Sequence, residues 1–259
     1  MCATLTRSSP VLTWPTYSSI SFGLVPAAST LDGDSISFGI GCGYTRAMDG
    51  VPVLRGVTHF WAFWCALAAT IPLVALAPGG AARGAALVYG AGMCVLFAGS
   101  AAFHRWRCGP RLRTLLCRID HSAIFVFIAA SYTPVALLVL DGPIGWVLFA
   151  SAWAGALVGV ALSVAWISAP RVLFAGTYVA LGWIAIIALP ELVASLPLAP
   201  LILIGTGGLL YTTGAVVYAT RRPDPWPRVF GFHEVFHALV IAAALVHFVA
   251  MAGWIIPAG

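Results

Sequence analysis

The chain has 259 residues, of which 61% are hydrophobic and only 8% are charged, and its mean hydropathy is +0.99. This composition excludes a water-soluble globular protein, because such a protein carries roughly 25% charged residues to hydrate its surface. The thirteen basic residues are all Arg and exceed the eight acidic residues by five, but they are scattered between long apolar runs. That distribution excludes a nucleic-acid-binding protein and favours anionic lipid headgroups as partners.

Residues 1–49 differ in composition from the rest of the chain. They are rich in Ser, Thr, Gly and Pro, and they lack the basic start and apolar core of a signal peptide. The uncharged stretch 8–31 is not a membrane span, because Pro10, Pro15 and Pro26 interrupt it. We expect residues 1–49 to be a disordered extension, or to reflect a start site assigned too far upstream, with Met48 as the alternative start.

Seven long intervals without Asp, Glu or Arg follow this extension. Each is long enough to cross a bilayer core about 30 Å thick, which needs about 20 helical residues. The intervals show no alternation of polar and apolar residues, which excludes the strands of a membrane barrel. The predicted spans are about 56–78, 84–104, 119–140, 143–167, 172–190, 198–220 and 230–257. The sequence therefore predicts an all-α integral membrane protein, a seven-transmembrane-helix bundle formed by residues 50–259.

The Arg residues predict the orientation of this bundle. Short loops rich in Arg are retained on the cytoplasmic side during insertion. Twelve Arg residues fall before span one or in loops on the same side, whereas Arg83 falls alone on the opposite side. We expect a cytoplasmic N-terminus, an external C-terminus and a location in the inner cell membrane. The lipid bilayer, with anionic headgroups on its cytoplasmic side, is the expected partner.

The informative residues are the few ionisable ones inside the spans, because such groups are rare in membranes unless they serve a site. His104 ends span two, Asp120 begins span three, and His233 and His237 begin span seven, all at the predicted cytoplasmic face. His233 and His237 are four residues apart and lie on one helical face. Ser100 lies on the face of His104, one turn deeper.

Three imidazoles that leave a fourth coordination position open are typical of a catalytic zinc site, in which the metal lowers the pKa of bound water to about 7. The sequence therefore predicts Zn²⁺ held by His104, His233 and His237, with Asp120 and Ser100 in catalytic roles. Each residue also has a structural interpretation. Histidines in membrane helices make interhelical hydrogen bonds, a carboxylate at this position could pair with Arg118, and a serine lets helices approach closely.

The remaining histidines are predicted to lie outside the metal site. His59 stands alone near the start of span one and is expected at the membrane interface. His121 points about 100° away from Asp120 around the helix. His247 shares the face of His233 but lies fourteen residues further on, about 21 Å deeper at 1.5 Å per residue, so it cannot bind the same ion.

A metalloprotease is a second interpretation of the same residues. Residues 233–237 read His-Glu-Val-Phe-His, the zincin pattern in which Glu234 would be the general base. Asp141 would then be the third ligand, as in intramembrane site-2-type proteases. However, Asp141 is predicted at the outer end of span three, roughly 30 Å from the two histidines. We therefore expect Glu234 to be a helix-start carboxylate favoured by the helix dipole.

Four segments resemble the hemolysin III proteins, which belong with the progestin and adipoQ receptors (PAQR), and the resemblance covers residues 50–256. The segments are Ser100-Ala-Ala-Phe-His104, Arg118-Ile-Asp120-His-Ser-Ala-Ile-Phe, Ala130-Ser-Tyr-Thr-Pro134 and Gly231-Phe-His233-Glu-Val-Phe-His237. The resemblance implies a seven-helix fold, zinc on His104, His233 and His237, and a metal-bound water held by Asp120 and Ser100. The wider superfamily includes alkaline ceramidases, which implies hydrolysis of a lipid amide or ester.

The functional hypothesis is therefore a zinc-dependent hydrolase whose lipid substrate enters between the helices. The competing hypothesis is a non-enzymatic membrane protein, either a cytolytic pore former, as the family name suggests, or a receptor in which zinc fixes the helices. A conducting channel needs polar residues along the full length of a helix face. The outer halves of these spans are mostly apolar, which favours the hydrolase over the pore.

Overall fold

The computed structural model describes residues 52–259, and the predicted extension 1–49 lies outside the described residues. Helices form almost all of the regular structure in this part of the chain. Their bounds are Val57–Ala75 (α1), Gly80–Arg105 (α2), Pro110–Leu138 (α3), Pro143–Ala165 (α4), Arg171–Gly182 (α5), Leu189–Ser195 (α6), Leu198–Thr220 (α7) and Phe232–Ala250 (α8). A 3₁₀ segment joins α5 to α6, and a π-helical turn and a short 3₁₀ turn extend α8.

Seven helical segments within residues 52–259 are long and apolar enough to cross a membrane. They are α1, α2, α3, α4, the combined segment Arg171–Ser195, α7, and the extended last helix Phe232–Ala258. The chain is thus a multi-pass integral membrane protein with a seven-helix fold, which confirms the fold class predicted from the charge-free intervals.

The third helix begins earlier than the span predicted at 119–140. Pro110 occupies its first turn, where a missing backbone N–H has no consequence and the fixed φ favours the helix. Arg and Leu, which dominate the next residues, are good helix formers in an exposed position. Asp120 therefore lies about 15 Å inside the helix at 1.5 Å per residue rather than at its start. The helix can begin outside the apolar interval because its first turns are basic and exposed.

The fifth span is not a continuous α-helix. A 3₁₀ segment, Ile184–Ala188, separates α5 from α6 and leaves backbone groups without their usual partners. Tyr132 of α3 satisfies two of them, since its hydroxyl donates to the carbonyl oxygen of Gly182 and accepts from the N–H of Ala185. In a membrane these groups have no water to bind, so this tyrosine stabilises the break.

Helices that are neighbours in sequence pack as neighbours through α4, and α7 packs on α8, which returns to contact α1. Small residues allow the closest approaches. A Cβ atom at Gly92 of α2 would lie 2.5 Å from the Cβ of Ala130 in α3, and one at Gly90 would collide with Thr70 of α1. These two close contacts hold α2 between α1 and α3. They therefore determine the direction in which His104 points from the last turn of α2.

One end of the bundle gathers the basic residues and the predicted site. Ten Arg residues of segment 52–259 lie before α1 or in the connections and helix ends on this side, and Arg83 lies at the other end. The N–H groups of Val53 and Leu54 donate to the carbonyl oxygens of Arg228 and Val229. These bonds place the segment before α1 against the loop that leads into α8. We refer to this side as the basic end; that it faces the cytoplasm stays a prediction.

Candidate metal centre

Three imidazoles from two distant parts of the sequence meet at the basic end. His104 lies on the last turn of α2, and His233 and His237 lie on the first two turns of α8. One nitrogen of each ring lies within 4.8 Å of the other two, and the Nε2 atoms of His104 and His233 are 3.1 Å apart. Tetrahedral zinc, with Zn–N distances of about 2.0–2.1 Å, requires roughly 3.3 Å between its ligand nitrogens. The closest pair matches this separation, and no other pair exceeds it by more than about 1.5 Å.

The surroundings of His237 also fit a cation. This side chain is 2% exposed, and its Nδ1 atom is buried without a hydrogen-bond partner in the described part of the chain. A buried polar atom without a partner costs about 1–3 kcal/mol. Coordination of a metal ion by this nitrogen would remove this cost. These three residues could therefore hold a metal ion.

Asp120 and Ser100 lie beside the three imidazoles. The Oδ2 atom of Asp120 is 3.9 Å from Nε2 of His104, which is longer than a hydrogen bond and short enough to be bridged by one water molecule. Ser100 is 2% exposed and lies one turn deeper than His104 on α2. Within residues 52–259, Asp120 makes no ion pair with Arg118, the partner considered in the structural interpretation. The Asp120 carboxyl is thus positioned toward the cluster.

The expectation that His59 stands alone is wrong. Its side chain is 2% exposed, and its ring stacks on that of His237 with 3.9 Å between centroids and 7° between planes. The ring of Phe97 packs against it edge-on, at 5.1 Å. The signal was available in the sequence, because span one begins at the same membrane face as His104 and His233. The depth of His59 in span one therefore predicts that it lies near these two histidines.

Glu234 has two structural partners. One oxygen accepts a hydrogen bond of 2.9 Å from the N–H of Gly231, the residue that precedes α8. The other forms an ion pair with Arg55 from the segment before α1. Asp141 is exposed in the turn after α3, at the end of that helix opposite to Asp120. The protease arrangement therefore lacks its third ligand, and Glu234 serves the helix start.

A cavity of about 400 Å³ extends from the imidazoles into the bundle. Its wall includes the site residues His233 and Asp120 and continues along α8 to His247 and Met251. The last two lie fourteen and eighteen residues beyond His233, or about 21 and 27 Å at 1.5 Å per residue. Most of the intervening wall is apolar. His121, which was predicted to lie outside the site, lines the cavity and stacks on Phe174 of α5 with ring centroids 5.1 Å apart.

Comparison with known proteins assigns the chain to a family. A family model described as Haemolysin-III related matches residues 51–248. The chain belongs to the hemolysin III family. This confirms the resemblance seen in the four sequence segments, all of which fall inside the matched range.

Individual relatives extend from bacteria to plants. The chain is 31% identical over 172 residues to "Hemolysin-3" of Bacillus cereus, covering 66% of this chain and 74% of that protein. It is 32% identical over 161 residues to "Hemolysin-3 homolog" of Bacillus subtilis, covering 62% and 72%. It is also 33% identical over 180 residues to "Heptahelical transmembrane protein ADIPOR1" of Oryza sativa subsp. japonica, covering 62% and 46%. The last similarity supports the predicted link between hemolysin III proteins and the adipoQ receptors.

Proposed function

We propose that this protein is a zinc-dependent hydrolase that cleaves an amide or ester bond of a membrane lipid. The observation that carries the proposal is the convergence of three imidazoles and one carboxylate at the head of a long apolar cavity. An apolar cavity of this size with a few polar groups at one end is typical of a ligand site. The reactive centre would lie at one end of the cavity, and the hydrocarbon chain of the lipid would occupy the rest.

Zinc is the metal that best suits the ligands His104, His233 and His237. Neutral imidazoles suit zinc better than Mg²⁺ or Ca²⁺, which prefer oxygen ligands. Three ligands leave one position for water or substrate, as in catalytic zinc sites. When bound, the ion supplies a Lewis acid that polarises a carbonyl group and acidifies water.

Asp120 is assigned as the general base and acid. Its carboxylate lies 3.9 Å from His104, a gap that accommodates the attacking water. The carboxylate accepts a proton as the water oxygen bonds to the carbonyl carbon, and it returns that proton to the leaving amine or alcohol when the C–N or C–O bond breaks. The Ser100 hydroxyl is assigned to orient the water through a hydrogen bond. His59, stacked on His237, is assigned to fix the orientation of that ring.

A receptor-like protein with structural zinc is the second candidate. It is favoured by the contacts that tie the basic end together, in which Arg55 pairs with Glu234 and His59 stacks on His237. A metal in this position would link α2 to α8 in addition to these contacts. A conducting pore has less support, because the cavity wall is mostly apolar between Asp120 and His247.

The test separates metal binding from catalysis. Metal content is measured on purified wild-type protein and on the His233→Ala, His237→Ala double variant. Lipid pools are then compared between cells that express the wild type and cells that express Asp120→Asn. The hydrolase predicts stoichiometric zinc that the double variant lacks, and a lipid pool that changes only with intact Asp120. Stoichiometric zinc with unchanged lipid pools would favour the receptor.

Two further variants test the protease and the pore. A Glu234→Gln variant should keep lipid turnover under the hydrolase proposal, whereas a protease would lose its activity. Ion flux is measured in liposomes that contain the wild type or His104→Ala. Ion flux that persists in His104→Ala would support the pore-forming function.

A further inference from the structure

The far end of the cavity is not wholly apolar. His247 of α8 and Tyr211 of α7 both line it, and their rings pack edge to face with 5.5 Å between centroids. They lie well away from the metal centre, since His247 is about 21 Å along α8 from His233. Polar groups at this depth of a membrane protein are costly unless they have partners or a function.

The position and tautomer of His247 are fixed by α7. Its Nε2 atom lies 3.1 Å from the carbonyl oxygen of Ile204, and because a carbonyl only accepts, this nitrogen carries the hydrogen. A neutral imidazole then has an acceptor at Nδ1. A Cβ atom at Gly207 would collide with the imidazole ring, so the α7 backbone approaches the ring directly. The fold thus accommodates this imidazole through a glycine and holds it with a backbone carbonyl.

Tyr211 supplies a donor with no acceptor. Its hydroxyl oxygen is buried and has no hydrogen-bond partner within residues 52–259. In the apolar interior such a group is costly, so an occupant that accepts its hydrogen bond would be favoured. A donor on Tyr211 beside an acceptor on His247 matches a hydroxyl group, which donates once and accepts as well.

We propose that His247 and Tyr211 form a second, deep polar subsite that binds a hydroxyl group carried on the hydrocarbon chain of the lipid. This inference rests on the proposed function, because it takes the cavity as the place where the chain of the substrate lies. The hydroxyl accepts a hydrogen bond from Tyr211 and donates one to Nδ1 of His247. Chains that reach this depth without a hydroxyl leave both groups unpaired and bind less tightly.

Binding of matched lipids that differ only in a hydroxyl group tests the subsite without requiring turnover. The probes are stearic acid and hydroxystearic acids that carry the hydroxyl group near the middle or near the methyl end of the chain. Dissociation constants are measured on purified full-length protein in lipid nanodiscs, with zinc content determined on the same samples. The wild type should bind the hydroxystearic acid whose hydroxyl group reaches the subsite about tenfold more tightly than stearic acid. This is the effect expected when buried polar groups are paired rather than unpaired.

The variants assign this preference to named groups. Tyr211→Phe removes only the hydroxyl and should bring the ratio of the two dissociation constants close to one, with zinc content unchanged. His247→Leu should do the same through loss of the acceptor. Tyr89→Phe is the matched control, because Tyr89 also carries a buried hydroxyl with no partner in the described chain but does not line the cavity. Its ratio should equal that of the wild type.

The outcomes separate this inference from the proposed function. Equal affinity of the wild type for both classes of probe, or a preference that survives both Tyr211→Phe and His247→Leu, would overturn the deep subsite and leave hydrolysis intact. A preference that disappears in both variants, in a protein that hydrolyses no lipid, would support the subsite and overturn the proposed catalysis.

Discussion

The basic end of the bundle and the far end of the cavity use polar residues in opposite ways. At the basic end, His59, His104, His233 and His237 lie against one another, and an ion pair between Arg55 and Glu234 adjoins them. At the far end, one imidazole and one phenol are set among apolar residues. Four imidazoles crowded together suit a small cation, whereas an isolated donor and acceptor suit a neutral group.

Under the proposed function, the two ends of the cavity have different tasks: the basic end holds the reactive centre, and the far end contributes to recognition of the lipid chain. A reactive centre must keep several groups in fixed geometry, which requires support from neighbouring residues. Recognition of a hydrocarbon chain requires only apolar area, with polar groups adding selectivity. The contacts at the basic end could serve a metal ion, a proton transfer or the stability of the fold, and substitutions of different residues distinguish these three roles.

The largest effect is expected from removal of two metal ligands. His233→Ala combined with His237→Ala leaves only His104 of the three proposed ligands, which is too few to hold zinc. We expect zinc content to fall from about one ion per chain to near zero, as measured by elemental analysis of purified protein. The matched control is His121→Ala, which removes an imidazole from the cavity wall away from the cluster. Loss of zinc in His121→Ala, or its retention in the double variant, would contradict the assigned ligand set.

The next effect is expected on turnover alone. Asp120→Asn keeps the shape of the side chain but cannot accept a proton from water. General acid–base catalysis contributes typically about 10²–10⁴-fold, so we expect kcat to fall by that factor while zinc content is unchanged. A Ser100→Ala variant should lose less, since its hydroxyl only orients the water. Unchanged turnover in Asp120→Asn would remove the carboxylate from the mechanism and leave it a structural role.

Much of the basic end could be predicted from sequence because the membrane restricts the possibilities. Ends of membrane spans that share one face of a bilayer must lie in one layer, so the sequence predicts His104, Asp120, His233 and His237 at one level. The identity of the family followed from the same segments. Their roles as ligands and catalysts stay predictions, because depth brings residues near each other without determining what they bind.

What the sequence did not predict depends on contacts between distant helices. The stack of His59 on His237 requires α8 to return against α1, and helix rotation about its own axis decides which face of α1 points inward. The segment Ile184–Ala188 is apolar throughout, so its sequence does not indicate the break in the fifth span. It is stabilised by Tyr132, more than fifty residues earlier in the chain. Local patterns do not contain such information.

A smaller effect on metal affinity is expected from His59. Removal of a side chain that supports a ligand typically costs 10–100-fold in metal affinity. We expect His59→Ala to weaken zinc binding by roughly tenfold, and His59→Phe to restore most of it because a phenyl ring can also stack on His237. Zinc affinity is measured by competition with a chelator. If His59→Phe binds zinc as weakly as His59→Ala, the nitrogen atoms of His59 matter, and the residue is closer to a ligand than to a support.

The smallest effect is expected from Glu234→Gln. The amide oxygen of Gln can still accept the hydrogen bond from Gly231, but the ion pair with Arg55 is lost. The side chain of Arg55 is 23% exposed, so water partly compensates its unpaired charge, and we expect a loss of about 1 kcal/mol in stability. Thermal unfolding in detergent measures this loss.

The matched comparison is Arg55→Met. This variant leaves the Glu234 carboxylate, which is 0% exposed, without its cation, so it should destabilise the protein more than Glu234→Gln does. A larger loss of stability in Glu234→Gln than in Arg55→Met would show that Glu234 stabilises the protein through something other than this ion pair. Loss of turnover in Glu234→Gln without loss of stability would indicate that Glu234 takes part in catalysis.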